Sequence, residues 1–176
     1  MPARLTPAGG DDDALKAPRP DKKPNGRAHR HCADRSVILL VDDSEQDHTL
    51  IAAAMDECGL DGCLRWARSH EEAVAYFEGR PPFDDRTKHP VPSLVLLDIQ
   101  LPSADGLSLL GWVRSQNAQW HRVPVVMLTT SQRRAEITRA YDLGANSYLV
   151  KPTSFAELCD TLKAATDYWL KQNRQS

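Results

Sequence analysis

Four apolar runs in this chain each end on groups that can do chemistry. "SVILLV" is followed by Asp42-Asp43, "SLVLL" by Asp98, "VPVVML" by Thr129-Thr130-Ser131, and "SYLV" by Lys151. Three carboxylates brought within one strand spacing repel strongly, so either one takes up a proton or a cation joins them. An oxygen-only donor set suits Mg²⁺, or Mn²⁺, with phosphate oxygens and water completing the shell. Lys151 supplies a mobile point charge of the kind that pairs with a phosphoryl group. Thr129 supplies a hydroxyl donor. A carboxylate nucleophile flanked by a metal and an ammonium is an arrangement for phosphoryl transfer onto Asp98.

Each residue alone has a plainer use. An acid after a strand is most often a turn or a helix cap. Asp42-Asp43 ahead of a helix is favoured by the helix dipole. A lysine before a proline and a threonine at a strand end are commonplace. Only the joint arrangement is informative, and it requires that the four run ends share one edge.

The rest of the sequence predicts that edge. Strands are read at 36–41, 63–67, 93–97, 123–128 and 147–150. Helices are read at 44–59, 69–79, 106–116, 131–144 and 154–172, with residues 80–92 as a loop. The first helix has apolar residues at 50, 51, 54, 55 and 58, one face of a 3.6-residue period. Ser44 with Asp47, and Ser154 with Glu157, read as capping boxes. Ser69 reads as a cap, and Gly59, Gly79 and Gly144 read as stops. The last helix carries a stripe at 155, 158, 162, 165 and 169. Strict strand–helix alternation implies βαβ units and a parallel sheet covered on both faces. In the flavodoxin-like order 2-1-3-4-5, ligands bind where strand order reverses, between strands 1 and 3. Asp42, Asp43 and Asp98 then stand side by side, ~5 Å apart from strand to strand.

At 176 residues the chain has room for one ordinary domain. Its 41% hydrophobic and 26% charged residues are those of a globular protein. No run approaches the ~18 apolar residues of a membrane span, and the N-terminus has no signal-peptide core; a cytosolic protein is expected. Cys32, Cys58, Cys63 and Cys159 lack zinc-finger spacing and read as ordinary thiols. Residues 1–35 are rich in proline and glycine, with eight basic against five acidic residues, and read as a disordered tail. The body, 36–176, holds fourteen against nineteen, a surplus of acid. No basic cluster resembles a DNA-recognition helix.

The sequence resembles the receiver domain of two-component response regulators over about Val37–Leu170. "LLVDDSE", "LVLLDIQLPSADG", "VVMLTTS" and "GANSYLVKP" match that family's motifs in order and spacing. The resemblance implies that Asp98 is the phosphoacceptor. It implies Mg²⁺ bound directly by Asp43, Asp98 and the main-chain carbonyl of Gln100, and through water by Asp42. Thr129 would hydrogen-bond the phosphoryl group and Lys151 would pair with it. Tyr148 would turn inward when Thr129 moves. Gln100 and Ser131 would tune the lifetime of the phosphorylated form. The Lys151–Pro152 peptide would be cis.

With only residues 153–176 after Pro152, a stand-alone receiver without an output domain is expected, signalling through an interaction. The donor would be a histidine kinase. The ending "DYWLKQ" with "LTTS" and "NSYLVKP" is similar to small regulators paired with bacterial phytochrome-type kinases, which tend to dimerise through the fourth helix, fifth strand and fifth helix. Trp169 serves that face or else caps the core. The alternatives are a phosphate shuttle to another histidine protein, a receiver that only binds, and a metal-dependent phosphatase with an Asp nucleophile. The last lacks a D-x-D motif, because Gln100 stands two residues after Asp98.

Overall fold

The computed structural model describes residues 36–60, 63–102 and 104–173. The expected tail, residues 1–35, lies outside them. Five strands alternate with five helices: β1 (Ile38–Val41), α1 (Glu45–Glu57), β2 (Leu64–Ala67), α2 (His70–Glu78), β3 (Leu94–Leu97), α3 (Gly106–Ser115), β4 (Val125–Thr129), α4 (Arg134–Asp142), β5 (Ser147–Val150) and α5 (Phe155–Thr166). All pairings are parallel, in the order β2-β1-β3-β4-β5. The flavodoxin-like, doubly wound (βα)5 sheet read from the sequence is the fold.

Alternation along each strand divides the apolar residues between two cores. Leu39, Val41, Val95, Leu97, Val125 and Met127 face α2, α3 and α4, meeting Tyr76, Phe77, Leu110 and Ala140. Ile38, Leu40, Leu94, Leu96, Val126 and Leu128 face α1 and α5, meeting Ile51, Met55, Leu158 and Leu162. Because both faces are covered, the central strands are apolar throughout rather than alternating.

The helix starts follow the sequence. Ser44, Ser69 and Ser154 each accept the backbone N–H of N3. Gly59, Gly79 and Gly144 take left-handed φ of 70°, 67° and 92° just past α1, α2 and α4, a conformation costly to residues with a Cβ. Three features depart from expectation. α4 begins at Arg134 rather than Ser131, because Ser131 stays in the β4–α4 loop and accepts the Arg133 N–H at 3.3 Å. The last helix gives way at Asp167 to a π-helical turn, Asp167–Gln172. Phe155 falls off the buried stripe and is 44% exposed, while Leu158 and Leu162 are buried. A short 3₁₀ turn at Gln119–Arg122 precedes β4 and was not read from the sequence.

Candidate phosphorylation site

Register sets the site. Val41 pairs with Leu97 across β1 and β3, so Asp42 and Asp98 leave the sheet level with each other. The Asp98 N–H donates to Val41 O at 2.9 Å, holding that alignment past the end of the ladder. Thr129 pairs with Val150, and the Lys151 N–H donates to Thr129 O at 2.8 Å. All four expected strand ends therefore meet on one edge, at the point where strand order reverses.

Lys151 is the centre of the cluster. Its Nζ lies 2.7 Å from Asp42 Oδ2, 2.6 Å from Asp47 Oδ2 and 2.6 Å from Asp98 Oδ2. An ammonium has three donors, and all three are used here. The other oxygen of two of these acids takes a backbone donor two residues on. Asp42 Oδ1 accepts from Ser44 N at 2.9 Å, and Asp98 Oδ1 accepts from Gln100 N at 3.1 Å. Both acids are buried, and the Lys151 side chain is 9% exposed.

Burial pushes the Asp42 carboxyl above its ordinary value; Lys151 and the Ser44 N–H oppose that, and Asp98 adds to it. Burial alone would lower Lys151, but hydrogen bonds to Asp42, Asp47 and Asp98 outweigh it and hold the ammonium above its usual range. Lys151 is thus a secure cation. Three carboxylates against one ammonium leave two negative charges in a largely dry pocket, a setting that favours a further cation.

Asp47 was read as the N3 partner of a capping box. Its backbone N–H does donate to Ser44 Oγ, at 3.1 Å. Its carboxylate does not return to the Ser44 N–H, because Asp42 already occupies that donor. It reaches Lys151 instead. The sequence signal was available in retrospect: an acid in the first turn of a helix that begins at a strand's carboxyl end lies over that edge. Asp43 is exposed and stands outside this cluster. Carboxylate oxygens of Asp42, Asp47 and Asp98 lie within 4.8 Å of one another, close enough to share one cation. Hard oxygen donors with surplus negative charge fit Mg²⁺ or Mn²⁺.

Trp66 is a second residue the sequence did not single out. Its Nε1 donates to the Asp42 carbonyl at 2.7 Å, and His48 stacks on its ring at 4.1 Å. The acid-bearing β1–α1 turn is thereby pinned from β2.

Thr129 and Tyr148, expected to act as a switch, are joined through one loop. Thr129 is fully buried, and its Oγ1 accepts weakly from Ser131 N at 3.4 Å. The Tyr148 hydroxyl donates to Ser131 O at 3.0 Å, with its ring against the core beneath α4. Desolvation raises the Tyr148 pKa. Ser131 Oγ donates to Glu136 on α4. Gln100 is exposed, on the rim of a groove of about 490 Å³ between the β3–α3 loop and α4, with Arg133, Glu136 and Arg139 across from it.

Pro81–Pro82 is the cis peptide bond among the described residues, so Lys151–Pro152 is trans, against expectation. The two X–Pro isomers differ by only about 0.5–1 kcal/mol, and Lys151 reaches all three carboxylates from the trans form.

A family model described as the response regulator receiver domain matches residues 38–163. The chain belongs to the response regulator receiver family. The probable methanogenesis regulatory protein FilR2 of Methanothrix harundinacea (strain 6Ac) is 36% identical over 141 residues, 80% of this chain and 88% of that one. Among solved structures, the phosphorylated cyanobacterial phytochrome response regulator RcpA aligns with TM-score 0.71 at 30% identity, covering 79% of this chain and 96% of that one. The Mn(2+)-bound form of response regulator Rcp1 aligns with TM-score 0.70 at 30% identity, covering 80% and 99%. Receiver domains are signalling proteins of two-component systems. Among the described residues no helix is long and apolar enough to cross a membrane.

Proposed function

We propose that this protein is a response regulator that accepts a phosphoryl group from a histidine kinase on Asp98. The observation that carries the reading is Lys151 Nζ held 2.6 Å from a buried Asp98. A carboxylate oxygen of Asp98 attacks phosphorus and forms the O–P bond. The bond from phosphorus to the donor's imidazole nitrogen breaks, its electron pair leaves with the imidazole, and a proton from solvent completes the neutral ring. Lys151 turns a donor toward the incoming oxygens. Thr129 presents its hydroxyl to the same group, and Tyr148 follows through Ser131 O. Ser131 and Gln100 stand beside the path of the water that later hydrolyses the acyl phosphate.

Divalent metal, Mg²⁺ or Mn²⁺, would supply charge neutralisation for the transferring oxygens. Asp42 and Asp98, with Asp43 from the rim and the Gln100 carbonyl, would hold it. The Mn(2+)-bound relative supports a divalent metal at this site. The phytochrome relative favours a phytochrome-type kinase as donor, and such a protein would work in the cytoplasm. Output by contact with a protein partner completes the reading.

Acetyl phosphate with Mg²⁺ is expected to add about 80 Da in a form labile to hydroxylamine, and to add nothing when the metal is chelated. Sustained turnover of a generic phosphoester would instead favour the phosphatase reading.

We also infer a homodimer through α4, β5 and α5. Tyr168 is 51% exposed and Val150 37% exposed on that side. Trp169 itself is half-buried against the α1/α5 core, with its ring edge-on to Tyr168 at 4.9 Å. Sedimentation of the wild type is expected to show a dimer that Tyr168→Ala weakens. A monomer in both, with and without phosphorylation, would end that idea.

A further inference from the structure

The geometry points to Asp47 as the residue that keeps Lys151 aimed at the phosphoryl group once Asp98 and Asp42 have left it. This inference rests on Asp98 being the phosphoacceptor.

In the resting site the three donors of Lys151 meet Asp42, Asp47 and Asp98. Phosphorylation takes the charge off the Asp98 carboxylate, since one of its oxygens becomes the bridging oxygen of an acyl phosphate, and it brings phosphoryl oxygens in its place. Asp42 sits beside Asp98 and faces whatever cation neutralises the pair. Two of the three partners of Lys151 therefore change duty during the reaction. The phosphoryl oxygens take the donor that Asp98 gives up, and the nearly buried ammonium still needs acceptors for the others. Among the described residues, Asp47 is the partner whose carboxylate meets no donor other than Lys151, whereas Asp42 and Asp98 each hold a backbone N–H as well. Its carboxylate makes no capping bond, because Asp42 holds the Ser44 N–H that a capping box would use. It is fixed from behind, its own N–H on Ser44 Oγ and its backbone in the first turn of α1. It is also the most exposed of the three acids, with a side chain 32% accessible.

Asp47 thus acts on the reaction through Lys151. Holding one donor of the ammonium constrains where the other two point, and a misplacement of ~1 Å in such a group can cost about 100-fold in rate. A ligand role would give a different signature, because loss of a metal ligand weakens metal binding directly.

The test compares wild type, Asp47→Ala and Asp47→Asn. Mg²⁺ affinity is measured by calorimetry without phosphodonor, and the phosphorylation rate with acetyl phosphate at saturating Mg²⁺. Asp47→Ala is expected to slow phosphorylation about 10-fold while Mg²⁺ affinity stays within about threefold of wild type. Asp47→Asn keeps an oxygen acceptor for Lys151 and is expected to recover most of the rate. Melting temperature serves as the check on folding. An unchanged rate in Asp47→Ala, a fall in Mg²⁺ affinity matching the fall in rate, or no recovery in Asp47→Asn would each overturn the inference. Absence of any adduct on the wild type would instead remove the phosphoacceptor reading on which it stands.

Discussion

Lys151→Met is expected to destabilise the protein by about 3–5 kcal/mol at neutral pH, the range for stripping one partner from a buried ion pair. The methionine fills the volume of the lysine stem, so the loss is electrostatic rather than a cavity. Asp42 and Asp98, both buried, would be left facing each other and Asp47 with no cation between them. The Asp42 carboxyl, already raised by burial, would rise further without Lys151 to oppose it. A carboxyl whose folded value lies above its unfolded value loses stability as pH rises past the unfolded value. The deficit of the variant should therefore be small below about pH 4 and full at pH 7. In the wild type the sign runs the other way for Lys151. Its folded value is raised, so its contribution is complete below the unfolded value of 10.5 and disappears only as pH climbs through the folded one. Urea unfolding at a series of pH values checks this, and added Mg²⁺ should narrow the gap at pH 7. A deficit that does not vary with pH would mean that lost packing, not unpaired charge, is responsible.

Gly106→Ala is the second large effect. A Cβ built at Gly106 would lie 1.9 Å from the main-chain oxygen of Asp98. That atom is backbone at the end of β3, and no rotamer change relieves the clash. The Gly106 N–H also donates to Ile99 O at 2.8 Å, so the glycine closes the β3–α3 loop directly under the candidate nucleophile. Overpacking of this kind costs about 1–3 kcal/mol or more. Moving Asp98 by even ~1 Å should slow phosphorylation about 100-fold. Gly111→Ala, one turn further along α3, is the matched control. There a Cβ would meet only Leu143 Cδ2 at 3.7 Å, and replacing a helical glycine with alanine contributes up to about 1 kcal/mol of stability. Equal behaviour of the two variants in urea unfolding and acetyl phosphate uptake would show that the close approach at Gly106 does not matter.

Which parts of this site could be read from the sequence follows from what positions them. The placement of Asp42, Asp98, Thr129 and Lys151 depends on strand ends, and continuous apolar runs with turn residues mark those ends well. The parallel order then brings them together without further information. Asp47 was legible as a helix-start residue and not as a site residue. Its role depends on a competition for the Ser44 N–H that Asp42 wins, and local propensity is blind to that. Trp66 is likewise silent in sequence, since its bond to the Asp42 carbonyl exists only once β2 lies beside β1. Phe155 was misplaced because a periodic stripe assumes that the helix is covered along its whole length, whereas burial on α5 begins at Leu158. The π-helical turn after Thr166 has no composition signal; there Asp167 is paired with both Lys163 and Lys171.

The central claim is that Asp98 is the phosphoryl acceptor. It is tested most directly by intact mass after acetyl phosphate and Mg²⁺, with wild type and Asp98→Asn side by side. Asparagine preserves size and can still accept a hydrogen bond from Lys151, but its amide is not a carboxylate nucleophile. The wild type is expected to gain about 80 Da and Asp98→Asn to gain nothing. The same adduct on both proteins would place the acceptor elsewhere and contradict the account.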